Sequence, residues 1–267
     1  MKNTKSQKRK YYKNILRYFF DKFVSVGFDP RILFSYKNYF KYLKQKKKWL
    51  KNGGKIDKNH IILTDYQDKA GVASGHYFHQ DLLVASLIFK NNPKRHLDIG
   101  SRVDGFVAHV ASFREIEVLD IRKMESSEHE QIKYIQSDFM ENNKYGNSDS
   151  VSCLHAIEHF GLGRYGDKID KDGHIKGINN LISLLDKSGR LYISFPIGVK
   201  DEIHFNSHRV FHPESILRFP GIVKYMKLER FDFVDDHGKL HKNKKIKDSF
   251  GKVSYGCGIY TFLKLKS

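Results

Sequence analysis

The sequence predicts an α/β fold in which a mostly parallel sheet carries helices on both faces. Three observations support this. From about residue 94 onward, short apolar stretches alternate with helical patterns, and such alternation implies parallel strands joined by crossover helices. The first stretch, His96-Leu97-Asp98-Ile99, runs into Gly100 and then a helix, the strand–turn–helix of a nucleotide-type site. Later stretches end on acids or histidines, which a parallel topology gathers at one edge of the sheet.

In chain order, the first sixty residues stand apart. They hold 18 Lys/Arg against Asp21, Asp29 and Asp57, so they carry +15 of the net +18. MKNTKSQKRKYY opens the chain as a polar, basic start. NILRYFFDKFVSVGF and SYKNYFKYLKQKKKWL read as amphipathic helices separated at Gly27 and Pro30, and Gly53-Gly54 ends the second. This gives a basic, aromatic-rich helical extension over 1–60, followed by a catalytic domain over 61–267. Residues 79–91 form a helix ahead of the sheet. Strands are expected at 95–99, 116–121, 132–136, 149–154, 190–197, 228–234 and 256–265, making a seven-stranded sheet. Helices are expected at 103–112, 122–129, 175–187 and 213–219. The last two strands are joined by a long loop without a helix, so the final one should run antiparallel.

Composition narrows the class. Apolar residues reach 40% and charged residues 29%, enough for a packed core. No apolar run reaches the roughly 18–20 residues that span a bilayer. The lysine-rich start lacks the apolar stretch and cleavage site of a signal peptide. Two cysteines, Cys153 and Cys257, lie far apart in sequence. A cytoplasmic chain without a disulfide framework is expected, with peripheral association at the inner membrane surface left open.

The strand ends carry the chemistry. Asp98, Gly100 and Ser101 form the first loop, where glycine lets a ligand approach the backbone and the following helix offers unpaired N–H groups. The second strand ends at Asp120-Ile121, where an acid can hold both ribose hydroxyls. The third ends at Ser137-Asp138, where an acid can accept from an adenine amino group. The fourth ends at His155-Ala156-Ile157-Glu158-His159, and the fifth reads Leu191-Tyr192-Ile193-Ser194-Phe195-Pro196. In that order and spacing the set resembles a class I S-adenosylmethionine (SAM)-dependent methyltransferase with a Rossmann-like fold. It departs from the glycine-rich pattern where Arg102 and Asp104 replace further glycines.

The resemblance extends along the chain. "GHYFHQDLLVA", "RHLDIGSRVDGFVAHVASF", "IEVLDIR", "LHAIEHFGLGRYGDKIDKDGHIKGINNL" and "FNSHRVFHPESIL", with "GFDPRILFS" nearer the start, together resemble the bacterial and nematode family called domain of unknown function 268. That family is regarded as methyltransferase-like, and its bacterial members often sit among genes for surface polysaccharides. The resemblance implies SAM as cofactor, bound by Asp98, Gly100, Ser101, Asp120, Ile121, Ser137, Asp138 and His155.

An alcohol acceptor must lose a proton during methyl transfer. His159, His208 and His155 are the candidate bases. A divalent metal held by His155, Glu158, His159 and one of His204, His208 or His212 is the competing arrangement. It is not favoured, because His155 stands where a hard cation prefers an acid. Gly161-Leu162-Gly163-Arg164-Tyr165-Gly166-Asp167 reads as a mobile acceptor-binding lid, with Arg164 and Tyr165 on a sugar or acidic group. Arg209 could pair with an acceptor phosphate or carboxylate. Asp167, Asp170, Asp172 and Gly173 resemble a calcium loop but lack its closing acid.

Three functions follow. The first is O-methylation of a sugar or surface-polysaccharide intermediate, with a glycan or lipid-linked sugar as partner. The second is a non-catalytic methyltransferase-fold protein in glycan assembly, and the third an RNA 2′-O-methyltransferase. For the basic extension, the sequence allows an anionic membrane surface, solvated helices packed on the catalytic domain or, less favoured, nucleic acid.

Overall fold

The computed structural model describes residues 35–125, 127–141 and 145–266. The proposed helix at residues 14–28 lies outside the described residues. The chain divides into two compact units, Met1–Val72 and Ala73–Ser267. In the first, α1 (Asn38–Lys51) ends at Asn52, and Gly53 follows in the left-handed region at φ 84°. The segment after it folds back onto one face of α1. The Leu63 carbonyl accepts from Asn38 Nδ2 at 2.8 Å, Tyr66 OH donates to Gln45 Oε1 at 2.6 Å, and Trp49 Nε1 donates to the Lys55 carbonyl at 3.0 Å.

The second unit opens with α2 (His76–Asn91). Its strands are β1 (His96–Ile99), β2 (Ile116–Asp120), β3 (Ile132–Gln136), β4 (Ser148–Leu154), β5 (Leu185–Ile197), β8 (Met226–Val234), β9 (Leu240–His241) and β10 (Gly256–Lys264). They form one sheet in the order β3-β2-β1-β4-β5-β10-β8-β9. The pairs β2–β3, β1–β2, β1–β4 and β4–β5 are parallel, whereas β10 runs antiparallel between β5 and β8. The predicted antiparallel final strand is therefore present, and the short β9 adds an eighth member. A separate hairpin joins β6 (Glu202–His204) to β7 (His208–Val210).

Central strands are buried on both faces, and alternate residues feed two cores. Leu97, Ile99 and Leu119 pack with Ile178, Leu181 and Ile182 of α4 (Gly173–Leu184) on one side. On the other side, Val118 and Leu154 pack with Leu83, Val84 and Ile88 of α2 and with Phe106 and Val110. The helix expected at 103–112 is a π-turn over Val103–Val107 leading into the short α3 (Ala108–Ala111).

Two helix expectations change. The described residues of 122–129 make bends and irregular chain, not a helix. Met124 is the single apolar residue there, so a helix would have no face to bury. Arg122 folds back onto Asp120, and the Ser127 hydroxyl accepts the His129 N–H at 3.0 Å in a competing local turn. The helix expected at 213–219 is a 3₁₀ turn, Ser215–Arg218, followed by α5 (Pro220–Tyr225). Pro220 lacks the N–H that would continue the turn and suits the first position of a new helix.

The topology fixes the site. From β1 the chain goes outward to β2 and β3, then returns to β4 on the other side of β1. Such a reversal opens a crevice beyond the carboxyl ends of the strands.

Candidate functional site

A cleft lies in that crevice. Gly100, Asp120, Ile121, Ser137, Asp138, His155 and His159 line it, together with Tyr77, Arg102, Arg122, Phe139, Phe160 and Tyr165. Residues far apart in sequence meet because each sits just past a strand end. The first residues beyond three strands are tied to the adjacent strand. Gly100 N–H donates to Leu119 O at 2.9 Å, Ser137 N–H to Asp120 O at 2.8 Å, and His155 N–H to Ser194 O at 2.9 Å.

At the first loop, Gly100 adopts φ 69°, and a Cβ there would stand 3.0 Å from the Ala156 methyl. Asp98 and Ser101 sit beneath the cleft and not on it. Both are buried. The Asp98 carboxylate accepts the Ser101 N–H at 3.1 Å, the Ser101 hydroxyl at 2.6 Å and the Ser152 hydroxyl at 2.5 Å. Ser101 Oγ in turn accepts the Leu154 N–H at 3.0 Å. The pair thus ties the loop to β4. Burial lifts the Asp98 pKa to about 7, against the hydrogen bonds from Ser101 and Ser152.

At the second strand end, Asp120 is already engaged. Arg122 donates from Nε to Oδ1 at 2.9 Å and from Nη2 to Oδ2 at 2.5 Å, and its backbone N–H reaches Oδ1 at 2.8 Å. The guanidinium also lies 4.7 Å from the centre of the Tyr165 ring. Oδ1 therefore has both lone pairs in use, and a ribose diol needs one of them. At the third strand end, Asp138 Oδ1 accepts the Met140 N–H at 2.9 Å, and the Ser137 hydroxyl bonds the Tyr145 hydroxyl.

His155 has φ 49°, a costly conformation for a residue with a Cβ. Its Nδ1 bonds Glu158 Oε1 at 2.8 Å, with both side chains buried. Burial opposes charge on His155, but Cys257 and Glu158 outweigh it and hold the pKa well above the usual histidine value. His155 Nε2 and Glu158 Oε2 are buried without hydrogen-bond partners. With Nδ1 held by Glu158 inside the protein, His155 serves to fix the loop after β4.

His159 differs. Its Nδ1 lies 2.6 Å from the Ser207 carbonyl. A carbonyl can only accept, so Nδ1 carries the proton and Nε2 keeps its lone pair. Burial lowers the His159 pKa, against the pull of Glu158. His208 lies outside the cleft lining, and both its nitrogens are engaged, by Ser207 Oγ at 2.7 Å and Tyr255 OH at 3.1 Å. Its pKa is lowered by burial and by His204. Among the described residues, no three His, Cys, Asp or Glu side chains converge to hold a metal.

The glycine loop is organised rather than loose. The Asp167 carboxylate accepts backbone N–H groups from Gly161, Gly163 and Tyr165 at 2.8, 3.1 and 3.2 Å. Gly161 has φ 79°, and a Cβ there would fall 1.9 Å from the Asp170 carbonyl oxygen. Arg209, expected on an acceptor, is instead buried beneath the loop. It donates to the carbonyls of Phe160 at 2.6 Å and Glu158 at 3.3 Å. Tyr165 reaches the cleft. Arg164 does not line it; the guanidinium donates to the Ser207 carbonyl at 3.2 Å and lies 5.1 Å from the Tyr165 ring centre.

Sequence reasoning missed the contribution of α2. Its first turn brings His76 flat against His155 at 5.5 Å, and Tyr77 to 5.1 Å from the same ring. Burial and the charge on His155 push the His76 pKa down to about 4. The Arg102 guanidinium lies 4.8 Å from the Tyr77 ring centre. The available signal was Gly75 ahead of two aromatic rings at a helix start. Arg122 was missed because a helix was expected at its position.

Comparison with known proteins agrees with this architecture. No curated protein sequence matches the chain. Many solved structures are similar, among them the following three. The 4+2 cyclase SpnF is 14% identical, over 81% of this chain and 91% of its own, with a TM-score of 0.50. A SAM-dependent methyltransferase from Clostridium acetobutylicum is 13% identical, over 76% of this chain and 96% of its own, with a TM-score of 0.48. The N-methyltransferase NodS from Bradyrhizobium japonicum, in complex with S-adenosylhomocysteine, is 11% identical, over 71% and 88%, with a TM-score of 0.48. The chain has an α/β Rossmann-like fold with a mostly parallel central sheet and flanking helices, and its residues 107–239 match the family described as "Caenorhabditis protein of unknown function, DUF268".

Proposed function

We propose that this protein is a SAM-dependent methyltransferase that O-methylates a sugar or surface-polysaccharide intermediate. The observation that carries the reading is the cleft at the sheet reversal. It joins a left-handed glycine, two strand-end acids and a histidine with a fixed tautomer. The residues fit the cofactor. Gly100 leaves room for backbone approach, Asp120 offers a carboxylate for a ribose once Arg122 moves aside, and Asp138 stands at the third strand end. Ile99, Ile121, Phe139 and Phe160 give apolar walls for a flat base. When bound, the cofactor supplies a methyl group on a sulfonium, open to in-line attack.

The protein's own part is positioning and proton removal. His159 takes the proton of an acceptor hydroxyl at Nε2 while the Ser207 carbonyl holds its Nδ1–H. The His155–Glu158 hydrogen bond orders the loop beside the cleft. Tyr165, fixed by Asp167, walls the acceptor side.

The fold alone does not decide the chemistry, because a cyclase shares it. The test is transfer of labelled methyl from SAM to a panel of free and nucleotide-linked sugars, with single-stranded RNA and small amines as comparison acceptors. Label on a sugar hydroxyl supports the reading. Label only on RNA or amines replaces the acceptor class, and cofactor binding without transfer to any acceptor favours the non-catalytic role.

A further inference from the structure

The first unit contains a surface that the methyl-transfer reading does not use. Helix α1 has two opposite faces. One is bonded to a neighbouring segment but stays partly open: Asn38, Tyr42, Gln45, Lys46 and Trp49 all bond the chain that folds back over residues 55–66, while Trp49 remains 58% exposed. The other carries Phe40, Leu43 and Leu50 at helical spacing, with Tyr36 one turn before them. These side chains are 64%, 41%, 49% and 66% exposed. Lys44, Lys48 and Lys51 run along one flank of the stripe, and Lys47 sits within it. Residues 35–56 hold eight lysines and no acid.

We infer that this face of α1 lies on an anionic lipid surface, with Phe40, Leu43 and Leu50 entering the headgroup boundary and the lysines on lipid phosphates. Two features select this occupant. An apolar stripe flanked and interrupted by lysines matches a surface that is apolar below and anionic above. Lysine stems also lie along apolar surface while their ammonium groups reach outward, so Lys47 inside the stripe suits the boundary. A nucleic acid would use the lysines but leave Leu43 and Leu50 in water, since neither stacks on bases. No helix of the described residues is long and apolar enough to cross a membrane, so α1 would lie in the plane of the surface. The inference does not depend on the methyl-transfer reading.

The test is flotation of the full chain with vesicles of phosphatidylcholine containing about 30% phosphatidylglycerol, compared with phosphatidylcholine alone. The chain should float with the anionic vesicles only, and the bound fraction should fall steeply as salt rises from about 0.1 to 0.5 M. A triple F40S/L43S/L50S variant, altered only at exposed positions, should partition at least about tenfold more weakly. K44Q/K48Q/K51Q should lose about a hundredfold, at about fivefold per lysine near the surface. Unchanged circular dichroism and melting confirm that each variant is folded. Absence of flotation overturns the inference. So does flotation that survives the apolar triple, because the stripe would then not be inserted. Binding of a single-stranded RNA in place of vesicles, lost in the lysine triple, would reassign the face to nucleic acid.

Discussion

Asp120 and Arg122 make opposite predictions at neighbouring positions. If Asp120 holds a ribose, Asp120→Ala should weaken S-adenosylhomocysteine binding by about 1–3 kcal/mol, the size of a lost charge-assisted hydrogen-bond pair. Arg122 competes for the same oxygens, so Arg122→Ala should tighten binding. The Arg122 side chain is half exposed and solvent weakens its pairing, which limits the gain to about three- to tenfold. Added salt should tighten binding to the natural chain but not to R122A, because ions screen the competing pair. Calorimetry on both variants checks this; weaker binding by R122A would make Arg122 a ligand contact instead of a competitor. His159 carries the second prediction. His159→Ala should keep cofactor affinity and lose about two to four powers of ten in rate. A base works deprotonated, and burial lowers the His159 pKa. Activity should therefore hold as pH falls to 6.5 and drop only below it. An acid limb at or above the ordinary histidine value would exclude His159.

At the scale of elements, Arg209 and the glycine loop act as one piece. The guanidinium is buried and bonds loop carbonyls. Arg209→Met should leave those carbonyls without donors, cost about 1–3 kcal/mol, and speed hydrogen exchange across residues 158–167 more than elsewhere. Uniform exchange would show that Arg209 does not hold the loop. This region also marks how far sequence patterns reach. Glycines at 161, 163 and 166 suggested mobility, yet positive φ at those positions lets three N–H groups converge on Asp167. Spacing alone does not distinguish glycine used for freedom from glycine used for one tight shape. The parallel strands were legible because buried apolar runs bounded by turn residues are a strong local signal. The strand-end residues lining the cleft were legible for a related reason, since topology alone puts them at one edge. Arg122 and the first turn of α2 were not, because their place depends on side chains folding across the cleft. The expected helix at 122–129 failed for lack of an apolar face, a weakness visible in Lys123, Glu125, Ser127 and Glu128 themselves.

Over the whole molecule, buried titratable groups set how stability responds to pH. His96 sits between Ser150 Oγ at 2.8 Å and Ser152 Oγ at 3.1 Å, and burial pushes its pKa down to about 3. His76 and His174 are pushed down to about 4, each chiefly by burial. The unfolded chain protonates these rings near 6.5, so the stability they contribute is present above that pH and is lost as pH falls toward 3–4. His96 alone should account for about 2 kcal/mol lost by about pH 5. Asp98 works in the opposite sense, as does His155, whose folded pKa is held well above the usual histidine value. The folded Asp98 pKa of about 7 favours the folded state below the unfolded carboxylate value, and that contribution disappears as pH rises through about 7. Denaturant melts from pH 8 to pH 5 should show a net loss toward acid, and His96→Asn should flatten it. An equal slope in that variant would remove His96 from the account. The fold, the crevice and the strand-end acids together make one central claim, that the cleft holds SAM, and direct calorimetric titration with SAM and S-adenosylhomocysteine tests it. Saturable one-to-one binding of both, weakened in Asp120→Ala, is the predicted result; no heat of binding up to about 1 mM of either ligand, in a folded chain, would contradict it.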